Sequence, residues 1–165
     1  MNILKTFELL GSYWSGAESI VREACRVVLV DDTGLIPILF VSKENYYKLP
    51  WGGIDHDEDK DQALVREMLE ETWCVADIIQ ELGIVIQETK NRKQLSYCYF
   101  WNIIKKWTLN FTEEESQKWF ELQWVSVEQW LHLISTCIPL TVYGKDIQQR
   151  DAFILQFFKD TIYKG

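Results

Sequence analysis

The stretch Leu49-Pro50-Trp51-Gly52-Gly53-Ile54-Asp55-His56-Asp57-Glu58-Asp59-Lys60-Asp61-Gln62-Ala63-Leu64-Val65-Arg66-Glu67-Met68-Leu69-Glu70-Glu71-Thr72-Trp73-Cys74 decides how the rest of the chain is read. It opens on a Pro-Gly turn, passes through an acidic loop and enters a short helix that ends Arg66-Glu67-Met68-Leu69-Glu70-Glu71. With residues 61–72 on a helix at about 100° per residue, Glu71 falls about 40° to one side of Glu67 and Glu70 about 60° to the other. The three carboxylates therefore share one face. Ala63 points the same way, and its small side chain is expected to leave room above that face. Leu64, Val65, Met68 and Leu69 fill the adjoining arc, which is expected to meet the core.

Such a face needs compensation. Like charges three and four apart destabilise a helix by about 0.2–0.5 kcal/mol per pair, and the macrodipole at a helix C-terminus favours cations over carboxylates. A hard ion such as Mg²⁺, with Mn²⁺ as the alternative, takes carboxylate oxygens and keeps sites for water and phosphate. Arg66 supplies a second compensating charge and can fix a carboxylate by a bidentate contact. The plainer reading is a solvated acidic helix face.

The 165 residues, 47 % hydrophobic and 14 % aromatic, fit one globular domain spanning 1–165. No apolar run approaches bilayer length, and the opening Met1-Asn2-Ile3-Leu4-Lys5, soon broken by Glu8 and Gly11, does not read as a signal peptide. Cys25, Cys74, Cys98 and Cys137 form no Cys-x-x-Cys pair and the chain has only two histidines, so zinc is not expected and a reducing, cytoplasmic setting is. A net charge of −8 argues against nucleic-acid backbone as a partner. A small anionic substrate stays compatible, because bound cations reverse the local field. No membrane partner is expected, and a homodimer is left open.

Around the central stretch the periodicities alternate between strand and helix. Residues 1–23 read as an edge strand or lead-in. The β-branched run from Ala24 to Asp31 reads as a strand, turned at Asp31-Asp32-Thr33-Gly34, with Leu35–Ser42 as its pairing partner. Pro37 suits an early or edge position. Ile78–Gln87 and Gln94–Ile104 read as a hairpin, with Tyr97, Tyr99 and Trp101 on one face and Cys98, Phe100 and Asn102 on the other. Phe120–Val125 reads as a last strand. Ser126 and Gln129 form a capping box for the helix after it, and Lys145–Tyr163 carries a helical apolar stripe. The sum is an α/β fold, a mixed sheet flanked by helices. Candidate substrate contacts are Arg26, with Arg22 on the same side of its strand, and Lys43 and Lys48 beside Tyr46-Tyr47. For each the alternative is a solvated side chain.

The order Gly52, five residues, Glu58, seven residues, Arg66-Glu67-Met68, one residue, Glu70-Glu71 resembles the signature of the Nudix hydrolases, with no gap in its spacing. The resemblance implies an α/β/α sandwich and Mg²⁺-dependent hydrolysis of a diphosphate linkage in a nucleoside diphosphate derivative, whether nucleotide, nucleotide sugar or dinucleotide. It implies that Glu67, Glu70 and Glu71 hold metal together with the backbone carbonyl of Trp51. It further implies that Gly52 and Gly53 frame the loop, and that Glu58 and Arg66 shape it and orient the ligands. The general base in the family comes from the motif, here Glu70, or from a later loop, here Glu115 or Glu114. Three family glycines are replaced, by Trp51, Asp57 and Trp73; Trp73 stands where a left-handed residue commonly ends the helix. The proline frequent in ADP-ribose-directed members is replaced by Glu88, and no diadenosine-type tyrosine stands at Thr89 or Lys90. A catalytically weak or inactive nucleotide-binding sensor on the same fold is the competing reading.

Overall fold

The computed structural model describes residues 1–8, 20–54, 57–89, 92–106 and 120–163. Its elements run β1 (Ile3–Glu8), β2 (Ile20–Val30), β3 (Ile36–Val41), β4 (Tyr46–Lys48), β5 (Trp51–Gly53), α1 (Lys60–Thr72), β6 (Cys74–Thr89), β7 (Arg92–Lys106), β8 (Phe120–Val125), α2 (Val127–Thr136) and α3 (Val142–Thr161). The strands form a mixed five-stranded sheet, β1-β6-β7-β2-β5, and an antiparallel three-stranded sheet, β4-β3-β8. In the larger sheet, β1–β6 and β2–β7 are parallel, and β6–β7 and β2–β5 antiparallel.

Strand alternation sorts the core into layers. Cys25, Val27 and Leu29 of β2 share a face with Tyr97, Tyr99 and Trp101 of β7, and Leu64 and Met68 of α1 cover it. Val28, Val30 and Cys98 face the other way, against Ile154, Leu155 and Phe158 of α3. Ile36 and Ile38 of β3 extend that second cluster to Val127, Trp130 and Ile134 of α2. The larger sheet thus lies between α1 and α3, the expected α/β/α arrangement. At Gly83 the chain takes φ +143, and a Cβ there would stand 2.7 Å from the carbonyl oxygen of Asn2; glycine lets β1 close on β6. No helix among the described residues is long and apolar enough to cross a membrane.

Several sequence expectations need correction. Leu35–Ser42 does not pair with the strand before it: β3 pairs with β4 and β8, because both edges of β2 are taken by β7 and β5. The turn between them forms as read, closed by Asp31, whose carboxylate accepts from Thr33 N (2.9 Å) and Leu35 N (2.8 Å). The β2 strand begins earlier, at Ile20, and β6 begins directly after α1. Helix α3 begins at Val142, because Thr141 caps it by accepting from Gly144 N at 3.0 Å. Of the four apolar α1 residues, Leu64 and Met68 are core, whereas Val65 and Leu69 are 53 % and 42 % exposed. Ala63 is fully buried, so the space above it is filled rather than open.

Candidate active site

Helix α1 is fixed at both ends. Asp59 caps it by accepting from Gln62 N at 2.8 Å, while the Gln62 side chain accepts from Asp59 N at 3.1 Å. At the other end Trp73 adopts φ 54, ψ 35 and its N–H reaches Leu69 O. The left-handed turn that glycine most often makes at a helix end is made here by tryptophan. The last turn carries no basic residue of its own, so the compensation for Glu70 and Glu71 comes from elsewhere.

Arg66 provides part of it. Its Nε and Nη2 donate to the two carboxylate oxygens of Glu58 at 2.9 and 2.8 Å, Nη1 donates to Glu67 Oε1 at 2.7 Å, and Nη2 also donates to the Gly53 carbonyl at 3.1 Å. Glu70 Oε2 lies 3.7 Å from Nη1. One planar guanidinium thus joins the acidic loop, strand β5 and two residues of the helix face. The contacts to Glu58 and then Glu67 raise the Arg66 pKa well above its usual range. Burial raises the Glu67 carboxyl above its ordinary value despite Arg66 beside it. Gly52 lies directly under that carboxyl: a Cβ on residue 52 would sit 1.7 Å from Glu67 Cδ. Gly53, by contrast, has open space where its Cβ would be.

Lys48 supplies the rest. It is buried, and Nζ donates to Glu71 Oε1 at 2.7 Å; burial lowers its pKa while Glu71 opposes the shift. Lys48 is therefore neither solvated nor remote from the carboxylates. Arg26 is fully buried on the α3 side of β2, opposite Trp51 in the β2–β5 register, with Nη1 donating to Cys25 O at 2.8 Å. Desolvation, then the neighbouring Arg150, push its pKa down to about 9, opposed by Asp151 and Glu71. The solvated alternative does not apply to it. Arg22 is exposed. Lys43 is exposed in a turn fastened to the α2–α3 connection through Glu44, which accepts from Thr141 Oγ1 at 2.8 Å and from Leu140 N at 2.9 Å. The backbone of Trp51 lies in β5; Glu114 and Glu115 fall outside the described residues.

Sequence reading missed a buried polar chain behind the site. Asp151 of α3 accepts from Leu49 N at 2.9 Å and from Arg150 Nε at 2.7 Å; Arg150 Nη1 donates to Gln87 Oε1 at 3.2 Å. This ties α3 to the residue preceding Pro50-Trp51-Gly52. A signal was available: Arg150-Asp151 interrupts the stripe Ile147, Ile154, Leu155, Phe158, where a charged pair in a core register needs a partner.

Among the described residues no three His, Cys, Asp or Glu side chains converge into a ready-made cation cage. The donor set nevertheless suits a hard divalent ion: carboxylate oxygens gathered at one helix end, two of them shielded and each neutralised by a cation.

Known proteins resemble the chain in sequence and in fold. The chain is 27 % identical to RNA pyrophosphohydrolase of Pseudomonas putida (strain GB-1) over 118 residues, 72 % of this chain and 70 % of that one. It is 27 % identical over 95 residues to Nudix hydrolase 7 of Arabidopsis thaliana, spanning 55 % of this chain and about a third (34 %) of that relative. In three dimensions it is similar to a MutT protein from Methanosarcina mazei Go1 (TM-score 0.58, 19 % identity, 90 % of this chain and 100 % of that one). It is similar also to a UDP-X diphosphatase (TM-score 0.58, 16 % identity, 88 % and 66 %). These likenesses speak for the fold. Family enzymes generally use divalent metals, and residues 21–136 match the sequence profile of the NUDIX domain, so the chain belongs to the Nudix hydrolase family.

Proposed function

We propose that this chain is a Mg²⁺-dependent pyrophosphohydrolase, with Mn²⁺ as an alternative ion, acting on a small nucleoside diphosphate derivative: a nucleotide, a nucleotide sugar or a dinucleotide. The observation that carries the reading is the single Arg66 guanidinium holding Glu58, Gly53 and Glu67 together beside Glu70. That is an arrangement for aiming carboxylates, and a solvated helix face has no use for it. Residues 1–165 act as one hydrolase domain. The four free thiols, three of them buried, suit the cytoplasm. A homodimer is the assembly to test by light scattering.

In this reading Glu67, Glu70 and Glu71, with the carbonyl of Trp51, hold the metal. When bound, the ion supplies charge neutralisation on the phosphate oxygens and lowers the pKa of a water. The remainder is the protein's work. Arg66 keeps Glu67 and Glu58 in register with β5. Glu70, the most exposed of the three at 59 %, accepts the proton of the attacking water. The new bond forms between water oxygen and phosphorus, the bridging P–O bond breaks, and its electrons leave with the departing phosphate. Lys48, whose Nζ lies 2.7 Å from Glu71 Oε1, is placed to meet the negative charge that develops there.

The competing reading, a nucleotide-binding module without turnover, draws on the Lys48–Glu71 pair, an internal cation at a ligand position. Nucleoside triphosphates, nucleotide sugars, ADP-ribose and dinucleotides assayed with and without Mg²⁺ separate the two. Turnover that needs Mg²⁺ and falls in Glu70→Gln and Glu71→Gln supports the enzyme. Binding of these compounds with no such turnover supports the sensor.

A further inference from the structure

The ring of Phe120 lies against the lysine that pairs with the carboxylate site. Lys48 Nζ, 2.7 Å from Glu71 Oε1, lies 4.7 Å from the centroid of that ring. Yet the ring is not buried: Phe120 is 42 % exposed, and Leu122, on the same face of β8, is 37 % exposed. The register fixes this face, because Leu39 of β3 pairs with both Lys48 and Leu122, and cross-strand partners point to the same side. Phe120 and Leu122 are about 7 Å apart along the strand, a patch the width of a heterocyclic base.

Two other aromatic rings among the described residues are each covered by a lysine. Lys106 Nζ sits 3.6 Å from the centroid of Trp124, on the same face of β8, and pairs with Asp31. Lys60 Nζ sits 3.7 Å from that of Tyr97. Phe120 combines a half-open ring with direct contact, through Lys48, to a carboxylate of the site. Exposed aromatics carry sequence-tolerant stacking of bases, and a ring buttressed by a buried lysine needs no reordering to do so.

We propose that Phe120, backed by Leu122, is the seat for the base of a nucleotide whose phosphates lie at Glu67, Glu70 and Glu71. This rests on the pyrophosphohydrolase reading for the phosphate end and specifies the nucleoside end. It makes the preferred substrate one with a planar base, and makes base-free phosphates poor ligands.

The test measures binding by calorimetry with Mg²⁺ present, using α,β-methylene analogues of ADP, GDP and UDP beside methylenediphosphonate, which carries the same phosphonate without a nucleoside. The wild-type chain is expected to bind at least one nucleotide analogue more tightly than methylenediphosphonate. Phe120→Ala is expected to weaken that analogue about ten-fold, with methylenediphosphonate unchanged and Phe120→Trp retaining the affinity. Equal loss for both compounds shows a ring that only shields the Lys48–Glu71 pair and overturns the proposal. So does a nucleotide affinity untouched by Phe120→Ala, or a wild-type chain with no preference for the base-bearing compounds. Failure of the hydrolysis panel with this binding pattern intact removes the enzyme reading and leaves the base seat standing.

Discussion

The carboxylate of Glu67 occupies the place where a side chain on Gly52 would begin, with Glu67 Cδ 1.7 Å and Oε1 1.9 Å from the position of such a Cβ. The glycine is there for close approach, since its φ is not positive. Gly52→Ala must therefore push Glu67 away from Arg66. Misplacement of this kind by about 1 Å costs on the order of 100-fold in activity. Gly53→Ala meets no atom within 4 Å and keeps the carbonyl that Arg66 uses. It should leave stability within about 0.5 kcal/mol and turnover nearly unchanged. Parallel Mg²⁺-dependent assays of the two variants check this; equal loss in both refutes it.

Trp73 ends α1 at φ 54, ψ 35, a conformation that costs a residue with a Cβ about 1–2 kcal/mol. Trp73→Gly removes that cost but also removes a half-buried ring. Trp73→Asn, which tolerates the left-handed region, tests the backbone contribution with a side chain retained. Both are expected to raise the urea-unfolding free energy, by up to about 1 kcal/mol. A fall in both shows that the tryptophan ring contributes more than the turn costs.

Legibility in the sequence followed how local each decision was. The carboxylate face of α1 and the Ser126–Gln129 box were readable because residues three and four apart settle them. The opposite faces of Tyr97 and Cys98 were readable from strand alternation alone. The partner of β3 was not, because pairing depends on which edges other strands already occupy. Nor was the exposure of Val65 and Leu69: helical arithmetic gives an arc, while the neighbouring sheet decides how much of it is covered. Lys48 and Glu71 were each named as site residues, but their ion pair joins positions 23 apart and no spacing rule reaches that far. Asp151 is the clearest miss, lying 102 residues from the Leu49 N–H it accepts.

Asp31 makes the β2–β3 turn acid-sensitive. Burial acts to raise its pKa, but bonds from Lys106, Thr33 and Leu35 outweigh that and hold it below the ordinary value of 3.8. A carboxyl whose folded pKa is depressed contributes stability above its unfolded pKa and loses it as pH falls through the folded one. The contribution is thus complete at neutral pH and declines below about 3.8. Asp31→Asn keeps an oxygen for the Thr33 and Leu35 N–H groups but not the charge. Between pH 6 and pH 3 the wild-type urea midpoint should fall further than that of Asp31→Asn; parallel declines would place the acid lability elsewhere.

Asp151 accepts from Leu49 N and from Arg150 inside the sandwich, with Arg26 close by. Its removal strands buried positive charge, so Asp151→Ala should cost about 3–5 kcal/mol. Replacing the ion pair as a whole, Arg150→Met with Asp151→Leu, should recover part of that loss, since a packed apolar pair carries no desolvation penalty. Chemical denaturation of the single and double variants reads both numbers. A double variant no better than the single one would mean that the Leu49 contact, rather than the stranded charge, dominates.

Arg66 joins four partners, and its geometry matters more than its charge. A lysine in its place retains the positive charge but cannot hold both Glu58 oxygens, the Gly53 carbonyl and Glu67 in one plane. Because Arg66 is only part-buried, the stability cost of Arg66→Lys should stay near 1 kcal/mol or below. Residues that orient metal ligands from behind typically cost about 10- to 100-fold in metal affinity or activity when changed. Mn²⁺ binding read by electron paramagnetic resonance and Mg²⁺-dependent turnover should both fall in that range. Glu58→Gln should show a similar loss, and the double variant should lose little more than either single one, because both substitutions break the same bidentate contact. Additive losses would mean that Glu58 and Arg66 act on the carboxylates separately, and Glu58 would then need a role of its own in the loop.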